Sequence, residues 1–121
     1  MGNKAIVVWA EIPVTDMDKS VAFYSEVFGY QMSIDNSGPN PMAVLGSEMN
    51  AVGGHLYPGK PAADGGNTIH LCVPDTLEAA IERCQAAGGK VVSPAITIPP
   101  GRFVYAKDLD GNSIGLFERA S

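Results

Sequence analysis

Glu11 and His70 are the residues of this chain best suited to chemistry, a carboxylate and an imidazole standing 59 positions apart. Brought together, such a pair makes a hydrogen-bonded clamp for a polar ligand, or a general base with its orienting partner. The same two residues also suit a plainer role as solvated or mutually satisfied polar groups in an open pocket. His55 adds a second imidazole, and with Glu11 and His70 it offers a thin donor set for a displaced divalent metal.

Other chemical signals dissolve on inspection. Gly54 to Lys60 reads GHLYPGK, most of a phosphate loop, but Pro61 replaces the Ser or Thr that would hold magnesium and no helix pattern follows. Asp108, Asp110 and Asn112 imitate the start of a calcium loop, yet glycine arrives too early and Arg119 stands where a closing Glu is needed. Asp110-Gly111 reads better as a hairpin turn. No Gly-x-Ser-x-Gly elbow is present, and neither Cys72 nor Cys84 has a legible histidine partner, so covalent catalysis is disfavoured. Both cysteines read as reduced packing residues.

The elements that must position Glu11 and His70 repeat. Asp16 and Asp75, and likewise Gly29 and Gly88, share the 59-residue offset, and each pair brackets a helical pattern. Thr15-x-x-Asp18 and Asp75-x-x-Glu78 resemble capping boxes, and each helix is expected to stop at its glycine. Met17, Val21, Tyr24, Val27 and Phe28 make one apolar face, and Leu77, Ala80, Ile81, Cys84 and Ala87 make the other. A strand precedes each helix, at 5–14 and 67–73, and three short strands follow each, near 30–35, 41–46 and 51–57, then 90–97, 102–107 and 113–118. The expected organisation is a single domain over 1–121: module one at 5–58, a Gly- and Pro-rich linker at 59–66, and module two at 67–118. Strand, helix and three strands written twice is an α+β pattern with both helices on one side of curved sheet.

Side-chain alternation sorts the faces. Val8, Ala10 and Ile12, with Ile69, Leu71 and Val73, form the set that covers the helices. The opposite parity leaves Trp9, Glu11, Thr68 and His70 for a cavity, and Phe103, Tyr105 and Phe117 share that expected parity, as an aromatic wall or as core filling.

Composition limits the partners. A hydrophobic content of 45% with 17% charged residues is that of a globular chain, with no apolar run long enough to span a bilayer. A net charge of −5 without a Lys/Arg cluster argues against nucleic acid. The amino terminus shows no secretory pattern, and Ile6 stands where a myristoylation signal wants Ser or Thr, so a cytoplasmic location is expected.

The stretch EIPVTDMDKSVAFYSEVFGY (Glu11 to Tyr30) resembles the opening module of the glyoxalase/bleomycin resistance/extradiol dioxygenase (vicinal oxygen chelate) superfamily, and FVYAKDLDGNSIGLFE (Phe103 to Glu118) resembles its closing hairpin. The resemblance implies two βαβββ modules forming a curved mixed sheet, helices on the convex side, around a small-molecule cup. It also implies a homodimer. Family metalloenzymes carry His, Gln or Glu at four strand positions, which here fall on Trp9, Thr68, Gly115 and on or next to Gly54. With those ligands missing, the expectation is a metal-free small-molecule binder with no cofactor. Its cup is lined by Trp9, Thr68, Phe103, Tyr105 and Phe117, with Glu11 and His70 as the reactive or orienting pair. The alternative is a glyoxalase-related isomerase, lyase or dioxygenase that uses a displaced divalent metal, or Glu11 and His70 as acid and base.

Overall fold

A computed structural model describes residues 9–46 and 53–120. The chain runs β1 (Trp9–Val14), α1 (Met17–Phe28), β2 (Ala43–Val44), β3 (Gly53–Pro58), then β4 (Ile69–Cys72), α2 (Leu77–Ala86), β5 (Lys90–Val91), β6 (Ile96–Ile98), β7 (Gly101–Lys107) and β8 (Ser113–Arg119). Each module builds its own sheet, β1-β3-β2 in the first and β4-β8-β7-β5 in the second, with β6 along β7. In both, the first strand pairs parallel with the module's last strand, Glu11 opposite His55 and His70 opposite Gly115. The fold is α+β, as the repeat predicts. Residues 5–8 of the first expected strand lie outside the described residues.

Alternation works as expected. Ile12 and Val14 are buried, while Ile69, Leu71 and Val73 pack against the same core from the second module. Tyr24, Val27 and Phe28 of α1 and Leu77, Ala80 and Cys84 of α2 fill the space between helices and sheets. Met17, Val21, Ile81 and Ala87 pack on its margin.

Three local expectations are corrected. The strand expected at 30–35 shrinks to one bridge, Asp35 with Met42, because Ser37 to Pro41 is a turn and Pro39 and Pro41 have no N–H for a ladder. Both helix caps sit one residue later than the capping boxes suggest. Asp16, in extended conformation, accepts from the Lys19 N–H, and Thr76 accepts from the Ala79 N–H. Asp75 instead holds Arg83 through two parallel hydrogen bonds. Finally, Cys84 is buried as expected but Cys72 is exposed, where its sulfur accepts from Arg119 Nε.

The β7–β8 turn joins the modules. Asp108 accepts from the Tyr24 hydroxyl of α1 at 2.7 Å and from the backbone N–H groups of Asp110 and Asn112. Asn112 Nδ2 donates to the Pro13 carbonyl, and Asp110 accepts from the Thr15 hydroxyl and N–H. The residues that imitate a calcium loop are therefore a hairpin turn whose carboxylates bind module one. Among the described residues, no helix is long and apolar enough to cross a membrane.

Candidate functional site

Strand parity puts Trp9 and Glu11 of β1 on the face away from the helices, beside His55 and Tyr57 of β3. There His55 is held at both ring nitrogens. Its Nδ1 accepts the Trp9 indole N–H at 2.9 Å, and its Nε2 lies 3.4 Å from Glu11 Oε2. Because an indole N–H only donates, that bond requires Nδ1 to be unprotonated, so the neutral ring carries its proton on Nε2, toward the carboxylate.

The second module builds a different wall. The His70 ring packs edge-on against Phe103 at 4.7 Å between centroids and against Phe117 at 5.9 Å, with Tyr105 tilted at 5.8 Å. Phe103 and Phe117 are stacked, only 8° from parallel. A Cβ built on Gly115 would run into the His70 ring, so the missing side chain is what seats the imidazole. Burial by these rings lowers the His70 pKa from its ordinary value, favouring the neutral form.

Two cavities open along the first module. One of about 440 Å³ lies between the facing edges of β1 and β4 and is bordered by Trp9, Glu11, Gly66, Asn67, Thr68 and Ser113. Thr68 shares a hydrogen bond with Ser113 there. The other, about 340 Å³, lies between Glu11, His55 and Tyr57 and the Gly38–Met42 loop. The His70 cluster stands outside both linings, with Tyr105 37% exposed above the buried Phe103.

The seven site residues expected from sequence thus fall into two groups, Trp9, Glu11 and Thr68 at the cavity between the modules, and His70, Phe103, Tyr105 and Phe117 in the aromatic cluster. Glu11 and His70 do not form an ion pair; Glu11 meets His55 instead. Tyr57 is the addition, and His55, expected only as a spare metal donor, becomes the partner of Trp9 and Glu11. The alternating pattern of β3 put His55 within reach of a sequence reading, but only the strand register gives its facing.

Register also narrows the metal comparison. Glu11 opposite His55 corresponds to His70 opposite Gly115, so His55, and not Gly54, is module one's counterpart of Gly115. The four positions therefore hold Trp9, His55, Thr68 and Gly115. An indole N–H and a glycine offer no lone pair to a metal, Thr68 is engaged with Ser113, and with Nδ1 taken by Trp9 His55 has only Nε2 left, a single side-chain nitrogen across four positions. This donor set does not fit a divalent ion. Among the described residues, no three His, Cys, Asp or Glu side chains gather as a metal cluster elsewhere.

The chain matches the Glyoxalase/Bleomycin resistance protein/Dioxygenase superfamily over residues 6–116. A glyoxylase-like domain-containing protein of Didymella fabae is 28% identical over 120 residues, 90% of each chain. Among solved structures, a glyoxalase/bleomycin resistance protein from Albidiferax ferrireducens T118 aligns with a TM-score of 0.72 at 21% identity, over 96% of this chain and 100% of that one. TnmS3 from Streptomyces sp. CB03234, an antibiotic binding protein, aligns at 0.65 with 25% identity, over 99% and 100%. The doubled module, its parallel first and last strands and the matched span have one meaning: this chain belongs to the glyoxalase/bleomycin resistance/dioxygenase superfamily.

Proposed function

We propose that the protein binds a planar, largely apolar small molecule on its concave face, without a metal or other cofactor. The observation that carries this reading is the aromatic cluster of module two, where exposed His70 and Tyr105 and half-buried Phe117 surround the buried Phe103. Ring faces left at a surface favour flat ligands, and a neutral imidazole adds one donor and one acceptor without the cost of burying a charge. Similarity to an antibiotic binding protein supports a small-molecule ligand. Trp9 and Tyr105 are large aromatics left exposed, one in each module, which suits their cover by a second copy as a homodimer.

The test is titration with 1-naphthol, followed by calorimetry, of wild type and of Phe117→Ala and His70→Ala. Wild type is expected to bind, and each variant to bind about tenfold or more weakly, the loss typical of removing an aromatic contact of 1–2 kcal/mol. Unchanged affinity in both variants sinks the assignment. Elemental analysis of purified protein, before and after chelation and with zinc, nickel, iron and manganese added back, is expected to find no stoichiometric metal. Metal that binds to wild type and is lost in Glu11→Ala would restore a metalloenzyme with a displaced site.

A further inference from the structure

Glu11 stands where the two cavities of module one meet, bordering both. Among the described residues it is the only acidic side chain in either lining, and neither lining contains a described Lys or Arg. The carboxylates Asp75, Glu78 and Glu118 are each paired with an arginine, whereas Glu11 faces the His55 ring, whose Nδ1 accepts from Trp9. The Glu11 side chain remains 64% exposed, toward the cavities. Two aromatic side chains flank it on the same face, Trp9, 42% exposed, and Tyr57, which lies 6.4 Å from His55 between ring centroids.

A carboxylate without a cation, set among ring faces in a concave site, is the arrangement that receives a positively charged nitrogen. The carboxylate supplies the counter-charge and a charge-assisted hydrogen bond, and the ring faces supply cation–π attraction. We propose that the pocket between Glu11, Tyr57 and the Gly38–Met42 loop takes a protonated amine or amidine carried by the ligand. His55 is a positioning residue in this site. By accepting from Trp9, with its Nε2 3.4 Å from the Glu11 carboxylate, it holds the ring face and the carboxylate side by side. The inference rests on the small-molecule cup proposed above, but it is carried by module one's wall, where the other was argued from module two's.

The experiment uses the full chain and three matched probes, 4-phenylbutylamine, 4-phenylbutanol and 4-phenylbutyrate. Binding is followed through the emission of Trp9, the single tryptophan. The amine is expected to bind about tenfold tighter than the alcohol at low ionic strength, and the butyrate more weakly than the alcohol, as one charge-assisted contact predicts. Glu11→Gln should bring the amine down to the alcohol's affinity and leave the alcohol unchanged. His55→Asn places an amide oxygen where Nδ1 stood. It should keep the wild-type indole emission while losing part of the preference for the amine, whereas His55→Leu should change both. Equal affinity for amine and alcohol in wild type, or an amine preference that survives Glu11→Gln, overturns the cation site and leaves the cup standing. Failure of wild type to bind any of the three also overturns the cation site, while the 1-naphthol titration decides the cup on its own.

Discussion

His70 lies where a side chain on Gly115 would have to be, and the two residues are therefore one structural decision. Adding a methyl group there forces the imidazole out from between Phe103 and Phe117. Gly115→Ala is expected to cost about 1–3 kcal/mol, the usual range for overpacking a filled site. Combining it with His70→Ala should recover part of that loss, because the clash has gone. Urea unfolding of the four proteins in the double-mutant cycle gives the coupling directly, and strict additivity would show that the two residues do not compete for space. The partial burial of His70 has a consequence for pH. Burial lowers its pKa below the ordinary 6.5, so protons prefer the unfolded chain. The stability this residue contributes is complete above 6.5, declines as pH falls below that value, and levels off once the folded pKa is passed. Wild type should therefore lose stability on acidification below 6.5 more steeply than His70→Asn, in urea midpoints collected across that range. Parallel curves would remove the linkage.

At the scale of elements, much was readable because the signals are local. The αL glycine after α1, with φ of 73° at Gly29, and the apolar spacing through Phe28 mark that helix without knowledge of anything distant. Caps are harder, since Thr15 and Asp16, or Asp75 and Thr76, stand side by side and both members have capping chemistry. The choice falls to whichever residue is extended where the chain turns into the helix. Asp16→Ala is accordingly expected to cost about 0.5–2 kcal/mol by loss of the bond to the Lys19 N–H. Asp75→Ala should leave the α2 terminus intact, held by Thr76 and by Glu118, which accepts from the Leu77 N–H. Denaturant midpoints of the pair distinguish the cap from its neighbour. What could not be read locally is register. The alternation of β1 and β4 placed Trp9, Glu11, Thr68 and His70 on the right face, but pairing Glu11 with His55 depends on how β3 slides against β1. A slip of one residue exchanges His55 for Gly54. For the same reason the contact between Glu11 and His70, a question of separation between modules, lay beyond a one-dimensional pattern.

At the scale of the molecule, the cavity between β1 and β4 exists only while the modules keep their relative position; α1 packs on α2, where Arg83 Nε donates to the Val27 carbonyl, and the β7–β8 turn adds a second set of crossing hydrogen bonds. Asp108 is the node. Its carboxylate accepts from Tyr24 in one module and from three donors of its own turn, the N–H groups of Asp110 and Asn112 and the Asn112 side-chain amide. Burial, together with this neighbouring carboxylate, raises the Tyr24 pKa well above its ordinary value, so the phenol remains a donor through the physiological range. Tyr24→Phe removes one crossing bond but keeps the turn, and Asn112 still reaches Pro13 while Asp110 still reaches Thr15. It should lower stability by about 1.5–3 kcal/mol, the range for a hydrogen bond to a charged group, with little change in 1-naphthol affinity. Asp108→Ala removes the acceptor that shapes the turn, and with it the placement of both remaining bridges. It should lose more stability than Tyr24→Phe and also shift the Trp9 emission, because β1 is then no longer tethered at Pro13 and Thr15. If Asp108→Ala leaves that emission unchanged while destabilising the chain, the turn holds its own hairpin and the helices alone hold the modules together.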